Sequence, residues 1–176
     1  MEILGYLVLG LAFGIAALLL VASGRPNQFR IERTLKIGAS PEALFPLINN
    51  LREMNTWNPF ALRETTGKAD YSGAASGPGQ KFEFAGRKSG TGSCEIVAAT
   101  PPSKVDMRLL MAAPFKADNL VEFTLAPDGN GSNVTWAMSG KQPLMGKVMS
   151  LFIDCDKMAG REFETGLANL KKKAER

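Results

Sequence analysis

LFIDCDKMAGREFETGLANLKKK, from Leu151 to Lys173, decides how the chain folds, because Asp154-Cys155-Asp156 within it reads either as a chemical site or as one turn of a helix. Pro143 is followed by no further proline to Arg176. Across that stretch Leu144, Val148, Leu151, Cys155, Met158, Ala159, Phe163, Leu167 and Leu170 recur at helical steps. The spacing predicts one long amphipathic helix running from Pro143 to the end. On it Cys155 falls on the apolar stripe between Phe152 and Met158, and the two aspartates project about 100° to either side. Carboxylates diverging in that way make a poor metal site, and the chain has no histidine to complete one. The nearest cation to the thiol in sequence, Lys157, lies off the stripe, so nothing activates Cys155 as a nucleophile and it reads as a structural thiol.

The same lack of histidine removes the side chain most used for proton transfer near neutral pH. Cys94 and Cys155 are too far apart for a zinc or Cys-x-x-Cys pattern. At 176 residues, with 45% hydrophobic and 22% charged residues, one packed domain is expected. No catalytic set, cofactor or metal is assigned. The basic residues show no stripe with interleaved aromatics, so nucleic acid is not an expected partner, and the terminal Lys171, Lys172, Lys173 and Arg176 fit the C-terminal end of a helix.

Ahead of the domain, Ile3 to Gly24 carries no charge and is long enough as a helix to cross a hydrocarbon layer of about 30 Å. Val21-Ala22-Ser23 would pass as a processing site, but no Lys or Arg precedes the apolar run, which favours an uncleaved anchor. All 21 Lys and Arg follow Gly24, beginning with Arg25, Arg30 and Arg33, which places the following domain on the cytoplasmic side. The expected organisation is therefore an anchor over 1–24, a linker over 25–28 and a folded domain over 29–176.

Within the domain FRIERTLKI alternates as a strand, with Arg33 on the apolar side, and Ser40-Pro41-Glu42 opens a short helix. From Tyr71 onward short alternating runs are separated by glycine, proline and asparagine, as in an antiparallel meander. Strands are expected near 70–74, 80–87, 91–99, 104–112, 117–126 and 132–140. One face gathers Phe82, Phe84, Met107, Leu109, Met111, Phe123, Trp136 and Met138, which must be buried against something. The remaining cover is the C-terminal helix, which makes the class α+β.

Strand, short helices, meander and closing helix, with IERTLKIGASPEALFPLINNLREMNTWNPF, SGPGQKFEFAGRKSGTGSCEIV, VTWAMSG and DKMAGREFETGLANLK, resemble the START-like helix-grip domains of the polyketide cyclase/dehydrase and lipid-transport (SRPBCC) family over residues 29–172. The resemblance implies a curved sheet of about seven strands wrapped around a long C-terminal helix, with a hydrophobic ligand held between them. A curved sheet gripping one helix leaves room that side chains do not fill. The expected lining is Phe82, Phe84, Met107, Leu109, Met111, Phe123, Trp136 and Met138 from the sheet, with Met149 and Phe152 from the helix. Trp57, Phe60, Phe115 and Met145 are expected at the rim, where they can open. Arg33 reads as a salt bridge or, alternatively, as a ligand headgroup contact. The expected function is a membrane-anchored binding protein for a hydrophobic small molecule such as a lipid, quinone or polyketide-like compound. The alternatives are a cyclase or dehydratase in the same cavity, using Arg33 or Tyr71, and a module for protein partners.

Overall fold

A computed structural model describes residues 2–64 and 67–176. The apolar N-terminus forms helix α1, Glu2–Ser23. Strand β1, Gln28–Ile37, follows, and then three short helices: α2, Pro41–Ile48; α3, Leu51–Met54; and α4, Pro59–Leu62. Each short helix starts on a side chain that accepts a backbone N–H, from Ser40, Asn50 and Asn58 respectively, so polar capping residues set the path of this segment.

The meander is β2, Lys68–Gly73; β3, Gln80–Gly86; β4, Gly90–Thr100; β5, Lys104–Ala113; β6, Ala117–Asp128; and β7, Gly131–Lys141. All neighbours are antiparallel, in the order β1-β7-β6-β5-β4-β3-β2, so the first strand closes onto the last. The strand ends differ from the sequence expectation by no more than about two residues, since the turns are set by residues that cannot continue a strand. Gly73 and Gly90, for example, adopt positive φ at 79° and 77° where backbone from a neighbouring strand leaves no space for a Cβ.

The C-terminal third departs from the expected single helix. It divides into α5, Leu144–Met149, and α6, Cys155–Ala174, joined by an elbow over 150–154. Polar side chains compete for the backbone there: Ser150 Oγ donates to the Lys147 carbonyl at 2.7 Å, and the Asp154 carboxylate accepts from the Lys157 N–H at 2.9 Å and starts a new helix. Cys155 is thus the first residue of α6 and half-buried, whereas Phe152 and Met158, expected to flank it in the core, are exposed.

α6 lies along β1, held there by Phe163, Leu167 and Leu170, which are fully buried. Gly166 allows a close approach to the core, because a Cβ there would stand 2.5 Å from the ring of Trp136 and 3.0 Å from Pro59. The core under α6 joins these residues to Leu44, Ile48 and Leu51 of the short helices and to Ile96, Val105, Met107, Phe123 and Leu125 of the sheet. Burying twenty side chains of this kind, at about 1.5–3 kcal/mol for each large one, drives the fold.

Candidate functional site

The register sorts the helix-facing side of the sheet into rows. The row that passes beneath the N-terminal half of α6 is Val105, Phe123, Trp136 and Arg33; next, away from the C-terminal end of the helix, comes Ile96, Met107, Val121, Met138 and Ile31. Beyond it stand Tyr71, Phe82, Cys94, Leu109, Asn119, Gly140 and Phe29, and at the far edge Phe84, Gly92 and Met111.

Under α6 the first row is closed. Trp136 stacks on Phe163 with ring centroids 4.5 Å apart and planes 7° from parallel, and Trp57 meets Phe123 and Trp136 edge-on at 6.0 and 5.9 Å. Phe60 packs edge-on against Trp136 and Phe163. Trp57 is 1% exposed, and its indole N–H donates to the Leu47 carbonyl at 3.0 Å, so it is core and not a rim that opens. Met107, Phe123 and Trp136 are likewise core. The sequence pattern did not separate lining from core, because both point to the same face.

The outer rows are different. Phe82, Phe84, Leu109, Met111 and Met138 are half-buried, and α6, which follows β1, leaves them uncovered. They form an apolar wall beside the helix, with Tyr71 and Phe82 in ring contact at 4.8 Å and Phe82 stacked on Phe84 at 5.7 Å. Packed rings stand where the wide void was expected under this part of α6, and the apolar wall alongside the helix is the candidate groove in its place. The two surface depressions described, of about 430 and 470 Å³, are lined chiefly by residues of the opposite face, Val97, Arg108 and Leu120 in one and Glu83, Ser93 and Leu110 in the other.

Polar groups on the wall are few. Asn119 is buried, with its amide oxygen unpaired among the described residues and its amide nitrogen 3.9 Å from the Met138 sulfur. Gly140 opposite it has no side chain, and a Cβ there would clash with that oxygen. The Trp136 indole N–H is also buried and, among the described residues, without a partner. Burial pushes the Cys94 thiol up to about 12, which keeps it protonated and inert.

Arg33 is not free for a ligand. Its Nε donates to Glu164 at 2.9 Å, its Nη2 to Asp156 at 2.9 Å, and its Nη1 to the Glu32 carbonyl at 2.7 Å. It crosses α6 at Gly160, where a side chain would occupy the guanidinium's place. The Asp-Cys-Asp segment thus contributes a cap from Asp154 and a clasp from Asp156. Tyr71 is engaged as well: its hydroxyl accepts from Asn55 at 2.9 Å and the Arg52 guanidinium sits 4.2 Å over its ring. Phe115, Met145 and Phe152 stand out from the surface, at 64%, 65% and 74% exposure, and Met149 is half-buried on α5.

A family model described as polyketide cyclase/dehydrase and lipid transport matches residues 28–175. Among solved structures, protein MLL2253 from Mesorhizobium loti is 19% identical with a TM-score of 0.61, covering 82% of this chain and 95% of its own. Ara h 8.0201 is 12% identical with a TM-score of 0.59, covering 84% and 97%. The di-domain aromatase/cyclase StfQ of the steffimycin biosynthetic pathway is 10% identical with a TM-score of 0.64, covering 84% of this chain and 51% of its own. At these identities the likeness is one of fold. No curated protein matches the sequence.

Proposed function

The chain belongs to the polyketide cyclase/dehydrase and lipid-transport family, and on that premise we propose that it is a membrane-anchored binding protein for a hydrophobic small molecule, such as a lipid, quinone or polyketide-like compound. The observation that carries this reading is the half-buried wall of Phe82, Phe84, Leu109, Met111 and Met138 beside α6. An apolar surface this continuous is kept in a folded domain when something covers it. Helix α1, apolar from Gly5 to Ser23, supplies the anchor, and the basic residues that follow it favour a cytoplasmic domain. Binding is favoured over cyclase or dehydratase chemistry because Arg33 and Tyr71, the two polar residues available for it, are held in contacts of their own.

The test uses the complete protein in detergent, incubated with a membrane lipid extract, repurified and examined by native mass spectrometry. A retained apolar adduct is expected. Met111→Trp fills part of the groove; displacing two or three methylenes at about 0.8 kcal/mol each weakens binding by about 30-fold. Absence of any adduct from the parent protein overturns the reading.

A further inference from the structure

Three observations converge on one end of the sheet. First, α5 packs against α1, and Leu18 and Ala22, one helical turn apart, are the covered positions among the described α1 side chains. The junction is tied down: Lys147 Nζ donates to the Asn27 side chain at 2.6 Å and the Gln142 N–H to the Asn27 carbonyl at 2.8 Å. A 22-residue helix spans about 33 Å, against about 30 Å of hydrocarbon. α5 therefore lies level with the last turn of the span, at the boundary between acyl chains and headgroups.

Second, several exposed apolar side chains of the domain cluster at this end. Leu144 and Met145 lie on α5, Phe152 and Ile153 on the elbow, and Phe115 in the β5–β6 turn, all exposed. The turn is brought there by the register, since Asn119 just beyond it pairs with Gly140 at the end of β7. Third, exposed Arg25, Arg87, Lys88, Lys116 and Lys141 lie on the same end, on the α1 exit, the β3–β4 and β5–β6 turns and the end of β7. Asp118 at this end is paired with Arg108, and apolar side chains with cations beside them complement an anionic lipid surface. The row ending in Phe84 and Met111 is the end of the groove wall nearest these turns.

We propose that this end of the domain docks on the leaflet from which α1 emerges, with the elbow and the β5–β6 turn entering the interface and the mouth of the groove held against the lipid. A ligand then passes between bilayer and groove without crossing water. The proposal rests on α1 being a membrane span.

The test compares Trp fluorescence of Phe152→Trp and Phe115→Trp with that of Thr100→Trp, at the opposite end of the sheet, each as the complete chain reconstituted in vesicles of phosphatidylcholine with one quarter phosphatidylglycerol. The signal of the parent protein, from Trp57 and Trp136, is subtracted. Brominated acyl chains are expected to quench the 152 and 115 probes at least twofold more than the 100 probe, with emission shifted to the blue. Flotation of the parent protein reports α1 independently. If it floats and all probes quench alike, or if the 152 probe is shielded by a second copy instead of lipid, docking is overturned and the anchor stands. If it fails to float, both fall. Loss of ligand binding with quenching intact would overturn the binding function alone.

Discussion

Arg33 shows what one side chain does when an apolar pattern is broken. The strand register turns it toward α6, and the fold supplies Asp156 and Glu164 within reach, so a charge on the wrong face becomes a fastener between first strand and last helix. The hydrogen bond from Arg33 holds the Asp156 carboxyl below its ordinary value. A carboxyl depressed in the folded state contributes stability in full above its unfolded pKa of about 3.9 and loses it as pH falls through the folded value. The pairs are solvent-exposed, so their contribution is small. Arg33→Met is expected to lower the melting temperature by about 2 °C at pH 7. The gap between parent and variant should narrow as pH falls below the ordinary aspartate range and through the depressed value of Asp156. Thermal melts across pH read this directly, and a gap that stays constant with pH would mean that Arg33 stabilises by packing alone.

At the scale of elements, the break between α5 and α6 is what turns the C-terminal third from a lid into a hinge-like strap. Asp154 makes the break by capping α6, and replacing an N-cap with alanine costs about 1 kcal/mol. Asp154→Ala should lose that amount in urea titration, while Asp154→Asn, which can still accept the Lys157 N–H, should lose only a few tenths of it. The strands were legible in the sequence because their periodicity and turn residues act locally: Gly129, at a positive φ of 61°, turns the chain directly after β6. The break was not, because Leu151 and Phe152 continue the helical spacing and only the competition of Ser150 and Asp154 for the backbone interrupts it. The same limit applies to the groove. Trp136 and Met111 alternate identically along their strands, and it is the path of α6 along β1 that buries one and leaves the other half-open. A sequence states which face is apolar; the placement of the cover decides which part of that face is core.

For the whole molecule the decisive arrangement is an apolar helix whose covered positions among the described residues, Leu18 and Ala22, lie in its last two turns, so that anchoring and folding are separable. Leu11 is exposed near the middle of α1, and an arginine there costs about 2.5–3.5 kcal/mol of insertion free energy without contacting the domain. The parent protein is expected to stay with membranes through alkaline carbonate extraction and to show an intact mass that includes α1. Leu11→Arg should shift it substantially into the soluble fraction while leaving the unfolding transition of the domain unchanged, because the core of Trp57, Trp136 and Phe163 lies wholly downstream of Gly24. A soluble parent protein whose mass lacks the first two dozen residues would identify the segment as a cleaved leader. The domain would then meet its ligand by diffusion, and the effective concentration that tethering gives to a groove beside the bilayer would be lost.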